Sequence, residues 1–405
     1  MISSTRLTSS TILPDSWILS NASSNDRTRF LQEFQESQES PEPQEKEEVI
    51  QNKSPEKAKK QEKTYAKKQE EIGKLVGNTS TDCNALLPLR FPIFREYWRT
   101  GMNNNWLPGT IPMSEDITTW KKPEGTEGAL TEEERHMVLT NLSFFSPSES
   151  LIGNNVSLAL MKYVNDPAAR QALWRLGFEE SIHNETFMYI IESLGLDESQ
   201  IYSGYQTTKV IQQKCGFLQE ATSALTEEKI DIDSREGRKD LLKALIAQMI
   251  MEGILFYSGF VMILNLYRLG KMKGIGEQYK YILRDESLHL EVIRTIFNQL
   301  VQNEWKKDWD EEVKSFCVQK VKEAVELEIK YAEFCLPKGV LGLRSEMFID
   351  YVQYLADRRL EFIGLEKIYG STNPFPWLSE MVDLTTETNF FEGRVTEYSA
   401  SGLEW

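Results

Sequence analysis

The sequence is poor in cysteine, in histidine, and in positive relative to negative charge. Its 405 residues include four cysteines, which are widely separated and form no Cys-x-x-Cys pair, so a zinc ribbon or a disulfide framework is disfavoured. Lysine and arginine number 46 against 62 aspartates and glutamates, which argues against nucleic acid or an anionic membrane as the main partner. Because the N-terminus lacks the basic and apolar segments of a signal peptide, we expect a cytoplasmic protein.

Composition divides the chain into three regions. Residues 1–85 are dominated by Ser, Thr and Asn, then by Gln, Glu and Lys, and such a segment buries too little apolar surface to offset its ordering entropy. We therefore predict a disordered extension over 1–85, with a partner-binding arm as the alternative. Residues 86–375 have the composition of a globular domain, and 376–405 form a polar tail that we expect to be flexible.

The globular region carries helix signals and no sustained alternation of apolar and polar residues. A capping box that starts at Thr131 predicts a helix to about Val164, with a kink one turn before Pro147. Asp166, followed by a proline, predicts the start of a second helix over 167–194. The other long helical patterns cover 239–269, 277–305, 308–334 and 346–369. The sequence therefore predicts an all-α fold, a helical bundle.

One apolar segment is long enough to cross a membrane. Residues 244–266 contain Glu252 as their single ionisable residue, and a stretch of this length spans a bilayer. A carboxylate near the centre of a membrane helix costs about 2.5–3.5 kcal/mol to insert, whereas a helix that is apolar on all sides also suits the centre of a large bundle. We favour the buried helix.

Two of the three histidines lie in the same arrangement. Glu180 precedes His183 by three residues, and Glu286 precedes His289 by three. Residues three apart lie on one face of a helix, so each pair presents a carboxylate and an imidazole at one spot. The alternative is a surface ion pair on each helix, but the apolar residues around both pairs favour burial.

Two further carboxylates have apolar neighbours. Glu252 is alone in the apolar helix, and Glu149 lies between two phenylalanines and a Leu-Ile pair. A buried carboxylate needs a proton, an ion pair or a metal. One Glu from each of two helices and a Glu-x-x-His from each of two others is the pattern of dimetal carboxylate sites in ferritin-like bundles. Carboxylate and imidazole ligands without clustered thiolates suit iron or manganese.

These residues resemble a known family, the radical-generating small subunit of class I ribonucleotide reductase. The resemblance covers roughly residues 91–405 and rests on the motifs Ser-Glu-Ser around Glu149, Phe-Glu-Glu-Ser-Ile-His ending at His183, Met-Glu-Gly around Glu252, and Arg-Asp-Glu-Ser-Leu-His ending at His289. It implies a ferritin-like bundle. It also implies that Glu149, Glu180 and His183 serve the first metal, that Glu252, Glu286 and His289 serve the second, and that Glu180 and Glu286 bridge the two.

The position that holds a radical-storing tyrosine in most of the family is occupied here by Phe187. Phenylalanine has no O–H to lose. Together with Glu at position 149, this resembles the tyrosine-less subclass, class Ic, whose oxidant is a manganese–iron cluster. The resemblance implies manganese on the Glu149/His183 side and iron on the Glu252/His289 side. Di-iron and di-manganese clusters stay open, because the same ligands accept either metal.

Other positions match the family's path for electron transfer. Trp106 resembles its relay tryptophan, and Asp285 resembles the carboxylate that links this tryptophan to a metal-bound histidine. Tyr398, in the polar tail, resembles the tyrosine that passes the radical to the large subunit. Tyr189 and Tyr281 are candidate auxiliary redox residues. The alternative for each aromatic residue is a packing role, or for Tyr398 a solvated tail residue.

The function implied by the resemblance is that of a ribonucleoside-diphosphate reductase small subunit. With O2 it assembles a dimetal oxidant and sends a radical equivalent to the large subunit, which reduces ribonucleotides. The implied partners are this large subunit and a second copy of the chain. Two alternatives remain: a stand-alone oxidase of the same fold acting on an organic molecule, and iron handling as in ferritins.

Overall fold

Helices form nearly all of the regular structure in the described part of the chain. The structure is a computed structural model that describes residues 74–77, 86–154, 160–226 and 230–378. The helices are α1 (Pro92–Asn103), α2 (Ser114–Lys121), α3 (Glu132–Asn154), α4 (Pro167–Leu194), α5 (Glu198–Tyr202), α6 (Gly204–Thr207), α7 (Lys209–Thr226), α8 (Arg235–Ile250), α9 (Tyr257–Arg268), α10 (Lys273–Gln299), α11 (Glu311–Cys335) and α12 (Met347–Phe362). Single π-helical turns follow α8 (Met251–Leu255) and α10 (Leu300–Glu304).

Hydrogen bonds confirm two predicted helix starts. The Glu134 N–H donates to Oγ1 of Thr131 at 3.1 Å, and the Thr131 N–H donates to Oε2 of Glu134 at 2.9 Å. Oδ1 of Asp166 accepts from the Ala169 N–H at 2.9 Å at the start of α4, which ends at Gly195 with φ of 66°. Such helix starts and ends can be predicted from the sequence because both partners of each capping contact lie within one helical turn.

The apolar segment around Glu252 lies at the centre of the bundle. It runs through α8, the first π-turn and α9, and over Arg235–Arg268 its most apolar window is fully buried in the protein. This confirms the predicted buried helix. Helix α8 packs against α7, α10 and α11, while α3 packs against α4, and α4 against α10. These contacts bring α3, α4, the π-turn and α10 together around one volume.

Some predicted boundaries are wrong. The first predicted helix was drawn to Val164, but α3 is described only to Asn154, and a 3₁₀ turn occupies Leu160–Lys162. The last was drawn to residue 369, but α12 ends at Phe362, and the chain turns at Gly364 with φ of 77°. Helices α1, α2, α5, α6 and α7 were not predicted.

Four residues of the predicted disordered extension are packed against the bundle. Leu75 and Val76 are buried, the Leu75 N–H donates to Oε1 of Glu304 at 2.9 Å, and Val76 forms an antiparallel bridge with Val164. The boundary at residue 85 is therefore wrong for residues 74–77. At the other end, Leu378 is buried and Arg268 stacks over Trp377 at 4.6 Å, so the tail predicted from residue 376 includes packed residues as far as 378.

Candidate metal centre

The structure brings together all six predicted metal ligands. Glu149 comes from α3, Glu180 and His183 from α4, Glu252 from the first π-turn, and Glu286 and His289 from α10. Every one of these side chains is buried. The two Glu-x-x-His pairs share a helix each, so their meeting at one point follows from the packing of α4 against α10.

The six side chains form two overlapping groups. The first position is defined by Glu149, Glu180, His183 and Glu286, and the second by Glu180, Glu252, Glu286 and His289. In each group one donor atom per residue lies within 4.8 Å of all the others. Glu180 and Glu286 belong to both groups. The geometry therefore fits two neighbouring metal ions bridged by these two carboxylates.

In each histidine Nδ1 is the nitrogen that lies near the site carboxylates. Nδ1 of His183 lies 3.4 Å from Glu149, 3.6 Å from Glu180 and 3.3 Å from Glu286. Nδ1 of His289 lies 3.0 Å from Glu180 and 3.6 Å from Glu286. Each Nε2 is turned toward a different carboxylate outside the two groups, an arrangement typical of metal-bound imidazoles.

The polar atoms of the site lack the hydrogen bonds that buried groups normally have. Among the described residues, both carboxylate oxygens of Glu149, Glu180 and Glu286, one oxygen of Glu252 and Nδ1 of His289 are buried without a hydrogen-bond partner. Unsatisfied buried polar atoms on this scale are costly. Two divalent cations would satisfy them and balance the carboxylates, so the residues present fit a dinuclear metal site.

The electrostatics of the site point the same way. Burial raises the pKa of Glu149 and of Glu252 well above the usual range. Burial opposes ionisation of Glu180 too, but the neighbouring imidazoles of His183 and His289 lower its pKa. Although burial lowers the pKa of an imidazole, contacts with the surrounding carboxylates raise the pKa of both histidines well above its usual value. Without metal the site therefore holds protons, which cations must displace.

Comparison with known proteins identifies the family. Residues 83–374 match the family described as ribonucleotide reductase, small chain. The chain belongs to this family. It is 49% identical to the ribonucleoside-diphosphate reductase subunit beta of Chlamydia pneumoniae over 82% of this chain and 94% of that protein. It is 29% identical to the small subunit of Dictyostelium discoideum over 78% of this chain and 87% of that protein.

A solved structure supports the same family and the ferritin-like fold. The ribonucleotide reductase R2 subunit from Clostridium botulinum matches with a TM-score of 0.68 and 26% sequence identity, covering 76% of this chain and 94% of that one. The chain is therefore a small subunit of ribonucleoside-diphosphate reductase, an oxidoreductase, with the predicted all-α architecture. Membership in a family of small subunits also implies a large-subunit partner.

A chain of polar contacts leads from the first position of this small subunit to a tryptophan. Nε2 of His183 lies 3.5 Å from Oδ2 of Asp285, and the indole Nε1–H of Trp106 donates to the same oxygen at 2.7 Å. Arg284 donates to the other oxygen of Asp285 at 3.0 and 3.2 Å. Burial opposes ionisation of Asp285, but contacts with His183 and Arg284 lower its pKa. Tyr281 stacks on Trp106, with ring centroids 5.2 Å apart.

The second histidine has a matching chain that the sequence analysis missed. The Nε2–H of His289 donates to Glu179 at 3.0 Å, and Arg175 donates to the other oxygen of Glu179 at 3.0 Å and to Asn105 at 3.0 Å. The only signal in the sequence for this role of Glu179 was its position directly before the predicted ligand Glu180. Gln248, which donates to Oε1 of Glu252 at 2.6 Å, had the weaker signal of lying four residues before a ligand.

Phe187, one helical turn after His183 on α4, lies in an aromatic cluster. It is fully buried, stacks on Phe145 with centroids 5.6 Å apart, and meets Tyr279 edge-on at 5.8 Å. Phe145 also contacts Phe256 and Phe260 at 4.9 and 5.3 Å. Tyr279, which the sequence analysis did not select, has a buried hydroxyl, and burial followed by the charge of Glu149 raises its pKa well above the usual value.

The two remaining predicted residues are placed differently. Tyr189 is half-buried and its hydroxyl donates to the Ile111 carbonyl at 3.0 Å, so it has an ordinary structural contact. Tyr398 lies outside the described residues.

Proposed function

We propose that this small subunit uses two metal ions and O2 to produce an oxidising equivalent and passes it to a cysteine of the large subunit. The observation that carries the proposal is the pair of overlapping ligand groups, continued through Asp285 to Trp106. An iron-storage site does not require polar contacts that continue from a proposed ligand imidazole through a carboxylate to a tryptophan. The six residues of the two groups are the proposed ligands.

The proposed metals are manganese at the first position and iron at the second. When bound, the ions supply the redox chemistry with O2. The ligand types accept both metals, and the argument for a mixed cluster is Phe187. Phe187 lies one helical turn after His183, is buried against Phe145 and has no O–H, so in this proposal the metals hold the oxidising equivalent.

Asp285 and Trp106 are proposed to move the electron and its proton. The indole N–H of Trp106 already donates to the ionised Asp285, so loss of an electron from the indole can be coupled to transfer of this proton over 2.7 Å. Arg284 keeps Asp285 charged and therefore able to accept. Tyr281, stacked on the indole and covered by Arg284 at 5.0 Å, is placed to exchange an electron with Trp106.

Tyr398 is proposed as the exit of the path. The chain just before the tail is anchored to the bundle. Phe375 is buried and packs against Phe348 and Tyr351, with ring centroids 5.2 and 5.0 Å apart. A tail anchored at one end can dock on a large subunit while it remains part of this chain.

A second copy of the chain is proposed to bind to the outer face of α4. Trp174, Phe178 and Met188 are 58%, 51% and 44% exposed, and their spacing places them on one side of the helix, opposite the ligands. An apolar stripe of this kind marks a protein interface. Replacing Trp174 and Phe178 by Glu should convert a dimer to a monomer in sedimentation equilibrium. The proposed location is the cytoplasm, since the three described cysteines are free thiols.

The aromatic cluster argues against the stand-alone oxidase. Such an enzyme needs room beside the metals for an organic substrate, whereas Phe145, Phe187, Phe260 and Tyr279 fill the described space next to Glu149 with rings 5.3–6.0 Å apart.

The decisive experiment loads metal-free protein with Mn(II), Fe(II) or both, exposes it to O2, and measures metal content, electron paramagnetic resonance and nucleotide reduction with the large subunit. We expect activity to follow one manganese and one iron per chain, without a stoichiometric tyrosyl signal. A tyrosyl signal that tracks activity would refute the mixed cluster. Wild-type turnover by Tyr398→Phe, with Tyr205→Phe as the surface control, would exclude Tyr398 as an obligatory relay.

A further inference from the structure

Glu252 differs from the other proposed ligands in its backbone. The other five lie within regular α-helices, whereas Glu252 lies in the π-turn Met251–Leu255 between α8 and α9. A π-turn breaks the regular pattern of helical hydrogen bonds, and its carbonyl groups must find partners when they are buried. All five residues of this turn are buried.

Two cationic side chains from outside the turn bind its carbonyl groups. Nζ of Lys214, on α7, donates to the Leu255 carbonyl at 2.8 Å, and Nε of Arg359, on α12, donates to the Gly253 carbonyl at 3.0 Å. Lys214 is fully buried and Arg359 is 8% exposed. The turn is thus held from two separate helices, at the carbonyl groups one and three residues after Glu252.

The ammonium group of Lys214 is held against the Leu255 carbonyl by contacts with three other side chains. Its ammonium lies 2.7 Å from Glu328 and 3.6 Å from the ring centroids of both Phe144 and Tyr331. Glu328 also accepts from the Ser258 N–H, in the first turn of α9, at 3.4 Å. A buried ion pair is weak evidence for net stability, since apolar residues of similar size often do as well. The pair has a second effect here, because it holds the ammonium of Lys214 against the Leu255 carbonyl.

Gly253 makes the second anchor possible. A Cβ atom at this position would lie 2.7 Å from Nε and 3.1 Å from Cδ of Arg359. Any other residue would therefore push the guanidinium away from the carbonyl that it binds.

We propose that Lys214 and Arg359 are positioning residues that hold the π-turn so that the Glu252 carboxylate reaches the second metal position. This inference rests on the two-metal function proposed above. It predicts that loss of either anchor weakens the second position selectively, because the ligands of the first position do not depend on the turn.

The test is anaerobic titration of metal-free protein with Mn(II) and with Fe(II), with affinity and occupancy followed by calorimetry and electron paramagnetic resonance. Two variants are tested. The double variant Lys214→Met/Glu328→Leu leaves no unpaired buried charge, and Gly253→Ala displaces Arg359 but keeps both cationic side chains, Lys214 and Arg359. We expect about tenfold or greater loss of affinity at the second position and less than about twofold at the first. Arg359→Lys, which retains a donor, should lose less than Arg359→Met.

The matched control is Lys239→Met. Lys239 is also a nearly buried lysine that pairs with α11, through Glu312 at 2.5 Å, but it does not touch the π-turn. Unchanged affinities at the second position in folded Lys214→Met/Glu328→Leu and Gly253→Ala would overturn the proposal, as would equal losses at both positions. Failure of the wild-type protein to bind two metals would instead overturn the proposed function, so the two failures are distinguishable.

Discussion

The two sides of the metal centre differ in chemistry although they border the same ligands. The polar side consists of His183, Asp285, Arg284 and Trp106, joined by hydrogen bonds and ion pairs of 2.7–3.5 Å. The aromatic side consists of Phe187, Phe145, Phe256, Phe260 and Tyr279, joined by ring contacts. An electron that leaves Trp106 can be accompanied by a proton, whereas Phe187 has neither an oxidisable O–H nor a proton acceptor. The proposed function therefore places transfer on the polar side and gives the aromatic side the role of excluding water.

The largest expected effect is loss of transfer on the polar side. Trp106→Phe keeps an aromatic ring but removes the N–H that reaches Asp285 and raises the potential needed for oxidation. Nucleotide reduction with the large subunit should fall by about 100-fold or more, while metal content stays unchanged. Trp120→Phe, at a tryptophan stacked on Arg135, is the control. Substantial turnover by Trp106→Phe would contradict the proposal that transfer passes through the polar side.

The next effect is loss of stability on the aromatic side. Phe145→Ala removes a ring that contacts five other described rings, and the cavity should lower the free energy of unfolding by about 3–5 kcal/mol. Urea unfolding of the metal-free protein measures this. If Phe145→Ala lost turnover without losing stability, the aromatic side would have a role in transfer as well.

Metal affinity should depend on pH because the proposed ligands bind protons when no metal is present. Glu149, Glu252, His183 and His289 have raised pKa values in the metal-free protein, so each holds its proton to a higher pH than in the unfolded chain. Metal binding needs these protons to leave, and affinity should therefore fall as pH falls, by about tenfold per unit for each proton released. Calorimetry in buffers of different ionisation enthalpy counts the protons. Affinity independent of pH between 5.5 and 7.5 would contradict this electrostatic description.

The smallest effect concerns Glu179, which orients His289 as Asp285 orients His183. Glu179→Gln keeps the size of the side chain but removes the charge that faces Nε2 of His289 at 3.0 Å. Affinity at the second position should fall by about tenfold, with turnover affected less than in Trp106→Phe because no proposed transfer step passes through Glu179. The control is Glu326→Gln, at an exposed position of α11. Loss of turnover equal to that of Trp106→Phe would indicate a second transfer path.

Much of the site was legible in the sequence because its signals are local. Each Glu-x-x-His pair lies within one helical turn, so the sequence alone places its carboxylate and imidazole on one face. The same holds for the Thr131 capping box and for the Asp166 cap. Glu149 and Glu252 were found by a different signal, a charge in an apolar run, which burial makes costly.

The features that the sequence analysis missed depend on contacts between segments that are distant in the chain. Lys214 meets the Leu255 carbonyl across 41 positions, Arg175 meets Asn105 across 70, and Leu75 meets Glu304 across 229. No periodicity or motif encodes such pairs, because each partner alone has the appearance of an ordinary surface or linker residue. The types of the proposed ligands were thus determined by the sequence. The polar contacts behind these residues and the anchoring of the π-turn were decided by helix packing, which brings a buried donor to a buried acceptor.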